Sequence, residues 1–289
     1  MNAKTMNAIF DEIDNAKDEL GCNADDACCW YRGQADADWG LAPGLIRPFI
    51  DRHWVVSEEK PAKNWDELTK TAQQAVRDEL WEIESDMFWE AFTQARDLQE
   101  PGLDSWDVLF LMQHHGFPTR LLDWTEVLSV ALHFAISKID RSTGDEPDAA
   151  VWLLNPYRLN KKSWGAKDLI DPRILGWDSD EEDYYDYRDY MTERYADDYS
   201  EWPVAIYPAQ KSVRMRVQSG RFTIHGRDIA SLDELCAKVV RKVVIPRAAF
   251  DEVFRFLERA GVYEHVLFPD LDGMARSVRQ RRAIAAKRR

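Results

Sequence analysis

The 289-residue sequence lacks the features of several large protein classes. No apolar run approaches the ~18 residues of a membrane span, and the N-terminus lacks the basic and apolar segments of a secretion signal. The four cysteines have no metal-binding spacing, and Cys28 and Cys29 are adjacent, so a reducing compartment fits and zinc is disfavoured. These absences predict a soluble, cytoplasmic protein.

Short catalytic motifs are absent as well. The sequence contains no HExxH, no GxSxG, no P-loop and no GxGxxG, which excludes the common forms of zinc protease, serine hydrolase and Rossmann enzyme. His114 and His115 are neighbours and would point about 100° apart on a helix, so they are poor joint metal ligands. We expect no metal site.

The charge is strongly acidic but unevenly distributed. Net charge is −14, with 45% apolar and 12% aromatic residues, a composition typical of a globular protein. Residues 178–201 hold eleven acids, two arginines and six tyrosines, and could form a lid, a partner surface or neither. Residues 276–289 hold seven basic residues and no acid, which fits local contact with a phosphate backbone or a solvated helix end. The overall sign argues against wide, nonspecific nucleic-acid binding.

Hydrophobic periodicity predicts an α+β fold, with helices dominating the first half of the chain and strands the second. Predicted helices span 5–20, 64–97, 106–115, 126–138, 248–260 and the region from 271. Predicted strands span 28–34, 149–154, 204–207, 213–218 with 222–224, 239–245 and 262–267. Caps are expected at Asn64 with Glu67, at Ser105 and at Thr125. Four tryptophans are assigned to the core: Trp39, Trp65, Trp81 and Trp106.

We expect one domain over residues 1–289. Its helical part covers about 1–138 and its strand-rich part about 149–268. A C-terminal helix with a basic tail follows over 271–289. No internal repeat or low-complexity tract interrupts this order.

The segment 113–136 carries the most specific polar pattern. Gly116 and Pro118 restrain the backbone ahead of an apolar helix. Arg120 and Asp123 lie near the predicted start of that helix, where unpaired N–H groups attract anions. A rigid turn that presents charge at a helix N-terminus predicts an anionic ligand.

A polar set without a nucleophile–base pair remains after these exclusions. Arginines with aromatic side chains suit an anionic ligand that bears a ring, such as a dinucleotide, because guanidinium forks pair with phosphates and aromatic faces stack on bases. The set comprises Tyr31, Arg32, Gln34, His114, Thr119, Arg120, Asp123, Trp124, Arg216 and Gln218.

Five motifs in order resemble the FRG domain family, named for a Phe/Tyr-Arg-Gly motif. They are YRGQ at 31–34, the LAPGLIRP turn at 41–48, QHHGFPTRLLDWT at 113–125, VQSGRFTIHG at 217–226 and LFPDLDGMA at 267–275. The resemblance covers about residues 28–275. The 113–125 motif is the most specific of the five, with His115 at the position of the usual aromatic.

The resemblance extends to ADP-ribosyltransferase-like folds, which implies a core built on a mixed or antiparallel sheet. In those folds an aromatic-Arg-Gly strand binds the phosphates of NAD, which implies this role for Arg32. A Thr ahead of a Val-Ala-x-x-Phe-Ala helix is their second motif, here Thr125 with residues 130–135. The third motif is a strand that bears a glutamate; the nearest stretch here, 216–220, has Gln218 and no glutamate.

The resemblance implies an NAD-dependent ADP-ribosyltransferase that modifies RNA or protein in a toxin or anti-phage setting, with an antitoxin or regulatory protein as a candidate partner. NAD is the expected substrate. A noncatalytic nucleotide- or nucleic-acid-binding module is the alternative, and nucleotide hydrolysis is a third. The predicted catalytic residues are Arg32, His114, Asp123 and Gln218. The predicted NAD-binding residues are Tyr31, Arg32, Gly33, Gln34, Thr119, Arg120, Trp124, Thr125 and Arg216.

The carboxylate that would stabilise an oxocarbenium ion is assigned first to Asp123, with Glu264 and Asp270 as second candidates. Two structural roles compete for Asp123: a charge at a helix N-terminus or an ion pair with Arg120.

Overall fold

The computed structural model describes most of the chain, and the structural statements below concern these residues. They are 5–22, 29–50, 54–57, 60–62, 65–98, 103–137, 147–163, 165, 168–169, 171, 186–191, 202–207, 213–226, 228–271 and 273–279. The predicted cap at Asn64 and most of the acidic segment 178–201 lie outside them.

A six-stranded antiparallel sheet, in the order β6-β7-β4-β1-β5-β8, forms the centre of the fold. A separate hairpin pairs β2 with β3. The strands are β1 Trp30–Gln34, β2 Trp54–Ser57, β3 Lys60–Ala62, β4 Leu121–Thr125, β5 Ala149–Leu154, β6 Val204–Ile206, β7 Gly220–Ile224 and β8 Val240–Ile245.

Helices cover both faces of this sheet. They are α1 Met6–Leu20, α2 Arg47–Ile50, α3 Lys70–Leu98, α4 Ser105–His114, α5 Leu128–Ile136, α6 Pro156–Ser163, α7 Tyr187–Met191, α8 Val213–Val217, α9 Leu232–Leu235, α10 Phe250–Arg259 and α11 Glu264–Leu267. A further helical segment covers 273–279. Among the described residues, no helix combines the length and apolar character needed to cross a membrane. The predicted α+β class is confirmed.

The alternation of side chains along β5 divides the core into two layers. Val151 and Leu153 pack with helices α1, α5 and α10 on one face. Trp152 and Leu154 pack with α6 and α9 on the other. A third apolar cluster joins α3, α4 and α7 to β4, β6 and β7. The sheet is therefore buried on both sides, which explains why β5 reads as a continuous apolar run.

The two central strands pair very differently with their neighbours. Residues 30–34 of β1 pair with β5 along their whole length. Between β1 and β4, Tyr31 and Thr125 are the single paired position. Helix α5 packs directly against β1, because a Cβ added at Gly33 would lie 1.9 Å from the carbonyl oxygen of Ala131. The divergence of β1 and β4 leaves room for a cavity at the middle of the sheet.

Three segments differ from their predicted structure. Residues 121–125 form strand β4 instead of a turn before a helix, because Leu121 and Leu122 are buried on opposite faces of the sheet. Residues 213–217 form helix α8 instead of a strand, and 264–267 form helix α11 instead of a strand. The first change matters most, since β4 completes the centre of the sheet.

The predicted helix caps also need correction. Asp104, and not Ser105, caps α4, with its carboxylate accepting the backbone N–H of Asp107 at 2.8 Å. Thr125 lies in β4, while the residue that precedes α5 is Val127, which makes no side-chain cap. The hydroxyl of Thr125 nevertheless accepts the Val127 N–H at 3.1 Å, so it supports the turn into α5.

Two of the four tryptophans assigned to the core are exposed. Trp65 and Trp106 are buried as predicted. Trp39 is 53% exposed and Trp81 is 40% exposed. Trp81 lies on the outer side of α3, whereas Trp39 lies in the loop that follows β1.

Candidate functional site

A cavity of about 340 Å³ opens between β1 and β4, and helices α4, α5 and α8 contribute to its walls. Nine of the twelve predicted site residues line it: Tyr31, Arg32, Gly33, Gln34, His114, Asp123, Trp124, Thr125 and Gln218. Thr119, Arg120 and Arg216 do not. A volume of this size is within the range of small-molecule sites.

Arg32 lies in the gap between the two central strands. Its Nη1 donates to the backbone carbonyl of Asp123 at 2.7 Å and lies 3.7 Å from the carboxylate of the same residue. Its Nε is buried without a hydrogen-bond partner among the described residues. Burial lowers the pKa of Arg32; the charge of Asp123 opposes this effect and that of Arg47 adds to it. A guanidinium is a fork of five donors, so the contact with Asp123 leaves further N–H groups of Arg32 at the cavity wall without a hydrogen-bond partner among the described residues.

Two further guanidiniums, which the sequence did not single out, line the same cavity: Arg47 and Arg214. Arg47 donates to the carbonyl of Ala42 at 3.1 Å, and Arg214 donates to the carbonyl of His114 at 3.4 Å. Burial lowers the pKa of Arg214, against the opposing charges of Asp123 and Asp270.

These arginines differ from others in the described part of the chain, because neither Arg47 nor Arg214 forms an ion pair with a carboxylate there. Other arginines do form such pairs, among them Arg120, Arg188, Arg221, Arg241 and Arg276. In a chain with 52 acids and 38 basic residues, cations without carboxylates are the unusual feature of the cavity. Cations of this kind favour an anionic ligand on electrostatic grounds.

Asp123 is the carboxylate on the cavity wall, and its side chain is 60% exposed. The amide Nε2 of Gln113 donates to it at 2.8 Å. The hydroxyl of Thr119 donates to Oε1 of Gln113 at 2.5 Å, which fixes the orientation of that amide. Thr119 therefore does not line the cavity itself; it orients Gln113, which in turn holds the Asp123 carboxylate. The pairing of Asp123 with Phe222 of β7 sets its position along the wall.

His114 lies at the end of α4, on the cavity wall. Burial lowers its pKa, and the nearby charges of Arg214 and His115 lower it further, while Asp270 opposes them. A neutral imidazole on the cavity wall can accept a proton at pH 7.

Several predicted ligand-binding residues have structural contacts within the cavity wall. The amide of Gln34 is used at both ends: Oε1 accepts the indole N–H of Trp152 at 2.7 Å and Nε2 donates to the carbonyl of Gly40 at 3.1 Å. The indole N–H of Trp124 donates to Thr223 at 3.1 Å. These groups shape the cavity and have little hydrogen-bonding capacity left for a ligand.

Gln218 and Thr125 join α8 to β4. The Thr125 hydroxyl donates to the carbonyl of Gln218 at 2.6 Å. The Gln218 amide donates to the carbonyl of Leu267 at 2.9 Å. In this structure the Gln218 amide therefore faces α11, although the residue lies on the cavity wall.

Arg120 was predicted to bind the ligand, but its guanidinium is buried away from the cavity. It forms an ion pair with Glu84 of α3 and donates to the carbonyls of His225 and Gly226 at 3.3 and 3.2 Å. Tyr187 donates its hydroxyl to the same glutamate. Arg120 joins α3 to the edge of β4 and β7. The alternative pairing of Arg120 with Asp123 does not occur.

Arg216 was predicted because it would share a strand face with Gln218. Residues two apart share a face on a strand but point about 200° apart on a helix. Because 213–217 is helical, Arg214 lines the cavity and Arg216 does not.

The second candidates for the carboxylate lie outside the cavity wall. Glu264 pairs with His133 at 3.0 Å and with Arg276 at 2.8 Å. Asp270 accepts the backbone N–H of Gly273 at 2.6 Å, at the start of the last helical segment. Neither carboxylate is available for the role assigned to Asp123. The described part of the chain holds no group of three or more His, Cys, Asp and Glu side chains that could bind a metal ion.

The family model of the FRG domain matches residues 27–144. The chain contains an FRG domain. The matched stretch includes β1, α4, β4 and α5, and therefore Arg32, Arg47 and Asp123 of the cavity. Helix α8, with Arg214, lies beyond it, as do the two later motifs of the predicted resemblance. No curated protein and no solved structure matches the chain.

Proposed function

We propose that the FRG-domain cavity binds NAD and that the protein is an ADP-ribosyltransferase acting on a macromolecule, RNA or protein. One observation carries the proposal. Arg32, Arg47 and Arg214 converge on a cavity whose wall holds the exposed carboxylate Asp123, within a chain of net charge −14. A dinucleotide is an anion with aromatic rings, and this cavity has both cationic and aromatic walls.

The three guanidiniums would hold the pyrophosphate. Arginine pairs bidentately with phosphate oxygens, and each charge-assisted hydrogen bond contributes about 1.5–3 kcal/mol. Arg32 already places one N–H on the backbone of β4, so its orientation is set before a ligand binds. Phe110, Phe134 and Phe222 supply apolar wall around the cations.

Cleavage of NAD breaks the bond between ribose C1′ and the nicotinamide nitrogen, and the electron pair leaves with nicotinamide. The ribose gains oxocarbenium character, which a nearby carboxylate stabilises. Asp123 is suited to this role because Gln113 holds its carboxylate at the cavity surface. The acceptor then forms a bond to C1′ and loses a proton, which the neutral imidazole of His114 can accept.

The test is release of nicotinamide from labelled NAD in the presence of total RNA and total cell protein. Arg32→Ala would weaken NAD binding, and Asp123→Asn would lower turnover more than binding, since the charge acts on the transition state. Arg241→Ala is the matched control, because Arg241 pairs with Glu19 and does not line the cavity.

Release that persists unchanged in Arg32→Ala would place the reaction in another pocket. Release that is equal in wild type and Asp123→Asn would remove Asp123 from the mechanism. Loss of activity in Arg241→Ala to the same extent as in Arg32→Ala would mean that a general loss of charge, and not the cavity, explains the effect.

A noncatalytic nucleotide-binding module is the second candidate. Two observations favour it: the stretch 216–220 has no glutamate, and Gln218 directs its amide to α11 instead of the cavity. The two functions separate in one comparison. Calorimetric binding of NAD by the wild type, without nicotinamide release with any acceptor, would support the binding module.

A further inference from the structure

Trp39 differs from the other cavity tryptophan in its exposure. Trp124 lines the cavity but is 3% exposed, and its indole N–H is bonded inside the core. Trp39 lines the cavity and is 53% exposed. An exposed indole on a cavity wall offers a flat apolar face on which a ring of the ligand can stack, and burial of that face is favourable.

The backbone on both sides of Trp39 is fixed. The N–H of Ala37 donates to a backbone carbonyl at 2.7 Å, and the N–H of Leu41 donates to a carboxylate at 2.6 Å. The amide of Gln34 donates to the carbonyl of Gly40 at 3.1 Å. An exposed tryptophan on a well-anchored loop has already lost most of its backbone entropy, so a ring that stacks on it incurs little further ordering cost.

The side chain of Gln34 fixes the position of this loop. Its carbonyl oxygen accepts the indole N–H of Trp152 at 2.7 Å, and its nitrogen holds Gly40, the residue after Trp39. The Gln34 amide therefore links the loop to strand β5 through two hydrogen bonds. Gln34 is a positioning residue for Trp39, although the sequence suggested direct contact with NAD.

We propose that Trp39 is the stacking platform for the base of the bound nucleotide, with the phosphates on Arg32, Arg47 and Arg214. The inference rests on the proposed function, because it names where the ring of that ligand lies. Arg47 follows Trp39 by eight residues and lines the same cavity, so ring and phosphate contacts come from adjacent parts of one segment. No ring or cation contact of the Trp39 indole occurs among the described residues, which leaves its face to the ligand.

Calorimetric titrations with phosphate-bearing ligands that carry adenine, nicotinamide or no base test the inference. Each protein is titrated with ADP, with nicotinamide mononucleotide and with inorganic pyrophosphate, which has no base. Trp39→Ala is expected to weaken binding of ADP, of nicotinamide mononucleotide or of both by roughly 5- to 150-fold, the range for stacking of one base on an aromatic ring. Pyrophosphate affinity is expected to stay within about twofold.

Trp39→Phe retains an aromatic face and is expected to recover most of the nucleotide affinity. Trp89→Ala is the matched control, because Trp89 is 44% exposed on α3 and does not line the cavity. A thermal melt of each variant confirms that it is folded.

The results separate two failures. If the wild type binds nucleotide and Trp39→Ala binds it equally well, Trp39 is not the platform and the proposed function stands. If Trp39→Ala loses pyrophosphate as well as nucleotide, Trp39 supports the anion site and not the base, which also overturns the inference. If the wild type binds neither nucleotide nor pyrophosphate, the proposed function fails and the inference fails with it.

Discussion

Replacement of Arg120 by alanine should destabilise the fold instead of weakening ligand binding. Its guanidinium forms a buried ion pair with Glu84, and the two side chains are only 10% and 5% exposed. The same guanidinium donates to the carbonyls of His225 and Gly226. Arg120→Ala would leave a buried carboxylate and two carbonyl groups without these partners.

The expected loss of stability comes from the carboxylate of Glu84, which would stay buried without its arginine. Removal of one partner from a buried ion pair typically costs about 3–5 kcal/mol, because the other charge stays buried. Tyr187 still donates its hydroxyl to Glu84, which places the expected loss near the lower end, at about 3 kcal/mol. A loss of this size lowers the melting temperature by about 5 °C in a chain of this length.

Chemical denaturation of wild type and Arg120→Ala measures the effect. Arg241→Ala is the control: its ion pair with Glu19 is exposed, at 36% and 60%, so its loss should cost about 0–1 kcal/mol. The double variant Glu84→Met/Arg120→Met should be more stable than Arg120→Met alone, because it removes both charges. A loss in Arg120→Ala no larger than in Arg241→Ala, together with lost NAD binding, would refute the structural role.

Two further predictions concern the stability of the fold and its dependence on pH. Gly33→Ala should lower the free energy of unfolding by about 1–3 kcal/mol, because its Cβ would lie 1.9 Å from the carbonyl oxygen of Ala131 and α5 would have to move. Gly220→Ala is the control, since the nearest atom to its Cβ is at 3.6 Å. Equal losses of stability in the two variants would contradict the reasoning. Burial, with a smaller contribution from a nearby arginine charge, lowers the pKa of His225 to about 3, so below pH 6.5 the unfolded chain takes up a proton that the folded chain does not. Stability from this residue is complete above that pH and falls by about 2 kcal/mol between pH 6.5 and 5, so His225→Gln should flatten the stability profile over that interval, and an unchanged slope would count against it.

The sequence predicted the elements whose periodicity is unambiguous. The spacing of Ile9, Ile13 and Leu20 fits one face of a helix and gave α1. The apolar run 149–154 is short and is ended by Asn155 and Pro156, which gave β5. The predicted strand at 28–34 is also present, as β1, and it carries Arg32 into the cavity.

Short segments were predicted less well, and this affected which residues were assigned to the site. Val213, Met215 and Val217 alternate with polar residues as in a strand, but a helix of one and a half turns can carry the same three apolar residues. A strand would place Arg214 and Arg216 on one face, whereas the helix separates them and puts only Arg214 on the cavity wall. Leu121–Thr125 was read as part of a turn because Pro118 precedes it, and its role as a strand depends on β7, which is about 100 residues away in the sequence.

Contacts between distant residues could not be predicted from local pattern. Arg120 carries the same charge as Arg32, and only the position of Glu84 on α3 decides that it is structural. Gln113 was part of a recognised motif, but its contact with Asp123 depends on how α4 packs beside β4. Trp39 was assigned to the core because most tryptophans are buried, and only the path of the loop after β1 exposes it.

Calorimetric titration of NAD into two variants of helix α8 tests the central claim most directly. Arg214 and Arg216 are two residues apart and carry the same charge, but only Arg214 lines the cavity. Arg214→Ala should weaken NAD binding by about 10-fold or more, since a charge-assisted hydrogen bond contributes about 1.5–3 kcal/mol, while Arg216→Ala should bind like the wild type. Equal affinities in all three proteins, or a loss confined to Arg216→Ala, would contradict the assignment of this cavity as the nucleotide site.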